Sequence, residues 1–168
     1  VLGIKNSQEQ LAQEFKDAYQ DRIINYTDEL YGFQISYPIG YAAEEDPEFG
    51  TNFRATAFVP GFSSEVLDVY ISNATFSDAD FKEIVDAVGS QNSIEFSGKK
   101  SINGKEVYLL NTRNESEFTD EILFTRNAFY NCQAPDGSAY SAAIVFVVPE
   151  VVASDIELAD YVIASFKC

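Results

Sequence analysis

The spacing of apolar positions changes several times along the chain, and each change marks an element. Between residues 7 and 22 the spacing is helical. Leu11, Phe15, Ala18, Tyr19 and Arg22 follow a Ser7/Gln10 capping-box pattern. The opposite face is Gln, Glu, Asp and Lys, so only a narrow stripe is left to dock on a domain, and the segment serves equally well as a stalk. From residue 23 the period falls to two. "IINYT" and "YGFQISYP" read as strands around a turn at Asp28-Glu29, with Phe33, Ile35 and Tyr37 alternating against Gln34 and Ser36. Pro38 ends the run because it has no N–H to give a ladder. Residues 39–52 are polar, carry Gly40, Pro47 and Gly50, and read as a long loop. "FRATAFVP" and "EVLDVYIS" are further strands, the second with Leu67, Val69 and Ile71 on one face.

The next helix is the best-marked element. Ser77 is its expected N-cap and Asp80 its N3 partner, Phe76 and Phe81 form a hydrophobic staple, and Phe81, Ile84, Val85 and Val88 make the apolar stripe. Gly89 is its expected C′ residue. Two hairpins follow: "SIEFSGKKSI" and "KEVYLLNTRN" flank Asn103-Gly104, and "EILFTRNAFYNCQ" and "SAYSAAIVFVVP" flank Asp136-Gly137. The unbroken apolar run of the last strand predicts that both its faces are covered and that it lies centrally in the sheet. A closing helix is expected from Ser154, with Glu157 completing a capping box and Ala159, Val162, Ile163 and Phe166 as its buried stripe. Tight hairpins pair strands antiparallel, and one-faced helices need a sheet to lie on. The class is therefore α+β, an antiparallel sheet flanked by helices in α/β/α layers. Residues 25–168 make one domain, and residues 1–24 make an N-terminal helix, read as a linker to a removed anchor.

Composition narrows the function classes. With 168 residues, 46% of them apolar and 14% aromatic, the chain can bury a sizeable core. Its 27 acidic residues against 11 basic give a formal net charge of −16. That field repels nucleic acid and anionic membrane surfaces, and suits a partner with a basic surface, a cation, or solubility alone. No apolar run approaches the roughly 20 residues that span a bilayer, so no direct membrane insertion is expected. The chain opens on Val1 and reads as a mature or trimmed form whose leader is absent. Cys132 and Cys168 are too far apart for a CxxC motif, leaving a disulfide between strand and C-terminal segment or two unrelated thiols. A disulfide would place the domain in an oxidising, extracytoplasmic compartment. Three glycosylation sequons begin at Asn25, Asn73 and Asn114, and one or two such matches arise by chance among ten Asn in a Ser/Thr-rich chain, so they carry little weight.

The catalytic inventory is short. Without histidine there is no Ser-His-Asp or Cys-His machinery and no imidazole metal site. No phosphate-binding glycine loop occurs, and "GFSSE" at 61–65 lacks the final glycine of a nucleophile elbow. No cofactor is implied. Glu44, Glu45, Asp46 and Glu48 form a weak candidate cation loop, without the alternating spacing of an EF-hand. Glu115, Glu117, Asp120 and Glu121 form a second acidic stretch in a strand connection, and both stretches equally fit a solvated surface or a basic partner. Tyr31, Tyr37 and Tyr41 are candidates for a groove mouth.

"NYTDELYGFQISYPIGY" resembles the start of PsbP-like superfamily domains. Tyr26, Thr27, Gly32, Phe33, Ile35, Tyr37 and Pro38 match a Tyr-Thr strand followed by Gly-Phe-x-Ile-x-Tyr-Pro, and Tyr41 stands where that family usually has Trp. The order of later elements, ending in "VIASFK", agrees over residues 25–168. The resemblance implies an antiparallel sheet between helical layers and a non-enzymatic accessory role. Its members assist photosystem II, bind a nuclear-transport GTPase, or are bacterial lipoproteins. The expected function is an extracytoplasmic binding or accessory domain. A pilin-like structural subunit and, behind it, a carboxylate-based hydrolase are the alternatives.

Overall fold

Tight turns force antiparallel neighbours, and every strand pairing among the described residues is antiparallel. The computed structural model describes residues 22–44, 50–115 and 120–168, so the helix expected over residues 1–24 lies outside it up to residue 21, while Ile23 and Ile24 belong instead to the first strand. The described residues form nine strands: β1 (Ile23–Thr27), β2 (Gln34–Pro38), β3 (Ala42–Ala43), β4 (Phe53–Ala57), β5 (Glu65–Ser72), β6 (Ser93–Ile102), β7 (Lys105–Glu115), β8 (Ile122–Gln133) and β9 (Ala139–Pro149). Helix α1 (Asp78–Gly89) joins β5 to β6, and a 3-10 segment, Glu150–Asp155, leads into α2 (Ile156–Ser165).

Seven strands form one sheet in the order β3-β4-β5-β9-β8-β7-β6. The apolar run of β9 lies at its middle, as its pattern requires. Asn103-Gly104 turns β6 into β7 with both residues at positive φ, 51° and 79°, the conformation that makes Asn-Gly the favoured two-residue hairpin.

The register divides the sheet's residues between two faces. On one lie Phe53, Ala55, Leu67, Val69, Val107, Ala128, Tyr130, Tyr140, Ala142, Ile144, Phe146 and Val148, all buried. This closed face is covered by α2, through Leu158, Ala159, Val162 and Ile163, and by the β1–β2 hairpin, through Phe33, Ile35 and Tyr37. Phe166 sits between the two lids, 5.5 Å from the Phe33 ring and 4.7 Å from Tyr130. The other, open face carries Arg54, Asp68, Tyr70, Ser141, Ala143, Tyr108 and Phe129, and α1 crosses only one end of it.

Several expectations need correction. β1 and β2 lie on the sheet as a separate two-stranded lid, with β2 bridged at Gln34 to Lys167 of the C-terminal segment. The loop over 39–52 contains β3 and a buried Tyr41, because the chain must cross from lid to sheet there. Gly89 is the last helical residue rather than a left-handed C′, since Ser90 stays right-handed (φ −72°) and donates its N–H to the Val88 carbonyl. The closing α-helix starts at Ile156, not Ser154. Val152 is non-helical and the 3-10 segment first swings the chain from β9 onto the closed face. β9 is fully covered on one face only, its Ala143, Val145 and Val147 being half-buried on the other.

Candidate functional site

The open face owes its shape to side-chain size along β9. On that face β9 offers Ser141 and Ala143 before it offers Val145 and Val147, while Tyr70 and Phe129 flank it from β5 and β8. Small residues between large ones leave a hollow, and α1 roofs one side. The result is a cleft of about 440 Å³, with Tyr70, Ser72, Ser141 and Ala143 on its floor and Phe76, Asp80, Glu83, Ile84 and Phe129 on its wall. That volume lies within the range of small-ligand and side-chain pockets.

The wall is held firmly at one end. Phe76 stacks on Phe129 with centroids 4.6 Å apart, and Phe81 and Phe76 each lie 5.1 Å from Tyr108. Asn131 grips the Phe76 backbone twice: its side-chain oxygen accepts the N–H at 2.7 Å, and its amide donates to the carbonyl at 2.8 Å. Ser77 and Asp80 complete the expected capping box. The Asp80 N–H donates to the Ser77 hydroxyl at 3.2 Å and the Ser77 N–H to the Asp80 carboxylate at 2.8 Å. The Ser77 N–H and then the Ser77 hydroxyl, both donating to it, hold the Asp80 carboxyl below its ordinary value. Asp78 is lowered likewise, by Lys99 and then by the Tyr108 hydroxyl, which ties α1 to β6 and β7. Even so, no residue of α1 is fully buried.

Beside the cleft, Arg54 meets Asp68 in a bidentate pair, Nε at 2.6 Å and Nη2 at 2.9 Å, and the Tyr70 hydroxyl donates to the same carboxylate at 3.2 Å. Burial, then the Asp68 charge, raises the Tyr70 pKa, and hydrogen bonding to Asp68 raises that of Arg54. The guanidinium is thus committed to a structural pair. Carboxyl chemistry of the hydrolase kind needs two acids converging in a cleft. Asp80 is committed to its cap. Asp160, raised by burial, lies on the closed side against Arg126, with Nε at 3.3 Å.

The residues singled out by sequence fall in different places. Cys132 and Cys168 form a disulfide with Cα atoms 5.5 Å apart. Tyr31, Tyr37 and Tyr41, the groove candidates, belong to the packing of the closed face. Tyr37 and Tyr41 are buried, with Tyr41 donating its hydroxyl to the buried Glu65 carboxylate, and Tyr31 packs on Tyr140 at 5.2 Å. A tyrosine's apolar ring serves the core as readily as a surface when its hydroxyl finds a buried acceptor. Of the acidic loop, Glu44 is exposed and its N–H donates to Arg54, while Glu45, Asp46 and Glu48 lie outside the described residues. Among the described residues, no three acidic or cysteine side chains gather as a metal site. Glu115, Asp120 and Glu121 stand at one end of the sheet, and Glu117 lies outside the described residues. The cleft itself was not anticipated. The drop in size from Val145 to Ala143 to Ser141 on one face of β9 is the signal that marks it.

No family model and no curated protein matches the chain. Solved structures do. LpqN, involved in cell envelope biogenesis of Mycobacterium tuberculosis, superposes with a TM-score of 0.61 at 7% identity, over 90% of this chain and 94% of LpqN. Cyanobacterial PsbP (CyanoP) from Synechocystis sp. PCC 6803 superposes at 0.53 with 16% identity, over 87% and 92%. A protein from Bacteroides thetaiotaomicron superposes at 0.52 with 16% identity, over 88% of this chain and 48% of its own. Two of these matches span nearly the whole length of both partners with TM-scores above 0.5, so the chain has the PsbP-like fold.

Proposed function

We propose that the chain is a non-enzymatic binding or accessory domain working in an extracytoplasmic compartment. The observation that carries this reading is the unequal sheet: one face is sealed by two lids, and the other holds an apolar cleft with acidic residues at its rim. Of the two acids on the cleft wall, Asp80 is bound into the helix cap and Glu83 stands alone on α1, and the nearby arginine is paired with Asp68, so the cleft offers a surface to a partner. The Cys132–Cys168 disulfide supports the compartment, since such bonds persist where thiols are oxidised. The envelope role of LpqN, which has the same fold, points the same way. A net charge of −16 favours a partner with a basic surface.

Filling the cleft tests the reading. In Ala143→Phe the added ring occupies the hollow beside Tyr70 and Phe129. Quantitative cross-linking in the native host should show partners held by the wild-type protein and lost from this variant, with the fold unchanged by circular dichroism. Identical partner sets for the two proteins would remove the cleft from the binding surface. Two free thiols in the unreduced native protein would remove the compartment.

A further inference from the structure

Far from the cleft, at the opposite end of β5, the chain displays aromatic side chains to water. Phe58 is 83% exposed and Phe62 48% exposed, both in the loop between β4 and β5. Their exposure is not the result of a loose loop. Val59 between them is buried and anchors the segment. Pro60 and Gly61 form the centre of a tight turn closed by the Phe62 N–H on the Val59 carbonyl at 3.1 Å, and Gly61 has the positive φ of 78° that this turn demands. On the far side, Glu121 holds Ser63 through both its N–H (2.9 Å) and its hydroxyl (2.7 Å). The loop is thus fixed at three points while two phenyl rings stand outward. Ile39 and Val151 are exposed at the same end, so four of the five large apolar side chains exposed among the described residues gather there.

Charge selects the partner. Beside Phe62 runs a trough of about 530 Å³ lined by Gly61, Phe62, Ser63, Asp120 and Glu121, and Glu115 and Glu150 stand exposed at the same end. Exposed aromatics bordered by carboxylates disfavour an anionic membrane and a second, equally acidic copy of the chain. They suit an apolar surface edged with cations, because a lysine or arginine stem packs on a phenyl ring while its head reaches a carboxylate. We propose that this loop is a protein-docking tip. Phe58 and Phe62 seat on an apolar surface of a partner protein, and lysine or arginine side chains bordering that surface enter the trough toward Asp120 and Glu121.

The test uses two synthetic peptides of equal length and charge, an amphipathic leucine–lysine helix and a glycine–lysine control, titrated into isotope-labelled protein by NMR. Shift changes should centre on residues 58–63 and 120–121. Affinity for the leucine–lysine peptide should fall about tenfold or more in the Phe58→Ala/Phe62→Ala variant, and the control should bind wild type about tenfold more weakly. Both phenylalanines lie at the surface, and an unchanged melting temperature checks the fold. Asp120→Lys, an exposed charge reversal, gives a second measure that should also weaken binding. Equal binding of the control peptide would overturn the proposal, as would shifts centred on the α1 cleft or spread over the whole acidic surface. So would Phe58-dependent binding to phosphatidylcholine vesicles, or loss of self-association as the sole effect of the double variant.

Discussion

The two faces of the central sheet are made from the same strands, yet they are built on different principles. The closed face is packed from sequence-distant pieces: Phe33 from the N-terminal hairpin, Tyr130 and Ile144 from the sheet, Phe166 from the C-terminal segment. The open face is held at one end by polar ties and ring contacts, a capping box and an aromatic quartet of Phe76, Phe81, Tyr108 and Phe129, and beside the cleft by the Arg54–Asp68 pair. The first kind of construction resists removal of any member, because a cavity in a dense core is not refilled. The second tolerates change and leaves room. Stability is thus concentrated on one side and available surface on the other.

This contrast can be broken at several points. The largest effect should come from Phe166→Ala, which empties the junction of both lids and should cost about 3–5 kcal/mol by urea unfolding. An equal loss from the half-buried Phe129→Ala would erase the distinction between the faces. Next, replacing both cysteines, Cys132→Ser with Cys168→Ser, should cost about 2–4 kcal/mol, since the bond closes a separation of 36 residues. Wild-type protein in reductant should then unfold at the same urea concentration as the variant. On the open side, Ser77→Ala removes the N-cap and should cost about 1 kcal/mol, seen as faster amide exchange along α1 with the closed face still protected.

The smallest effect is a pH dependence confined to α1. The folded pKa values of Asp78 and Asp80 lie below the ordinary one, so each contributes stability that is present above the ordinary value and lost as pH falls through the folded one. Exchange in α1 should therefore accelerate below about pH 4. Asp80→Asn should flatten that response, and an acid response beginning instead in α2 would contradict the assignment.

What the sequence made legible was local. Ser77 with Asp80, Asn103-Gly104, and the apolar run of β9 each carry their structural consequence within a few residues, and each element is where its pattern puts it. What it hid was tertiary. Alternation at Phe33, Ile35 and Tyr37 says that one side is covered, but not that the hairpin covers the sheet instead of joining it. Tyr41 reads as a surface aromatic until Glu65 supplies a buried acceptor for its hydroxyl. The cleft depends on residues from β5, β8, β9 and α1 that no local pattern brings together, and Phe58 sits in a stretch that looks like strand until β4 stops at Ala57.

One feature also bears on the order in which the domain is made. The lid strand β2 is stitched to the C-terminal segment: Gln34 and Lys167 exchange backbone hydrogen bonds at 2.8 and 2.9 Å, and Ser36 donates its N–H to the Ser165 hydroxyl at 3.0 Å. These partners are separated by more than a hundred residues, and Cys168 closes its disulfide immediately after them. A chain delivered from its N-terminus can form the hairpins early, but it cannot seal the closed face until residue 166 arrives. Cys132 likewise has no partner until Cys168 follows, 36 residues later, so the disulfide and the Gln34–Lys167 bridge draw on the same last stretch of chain.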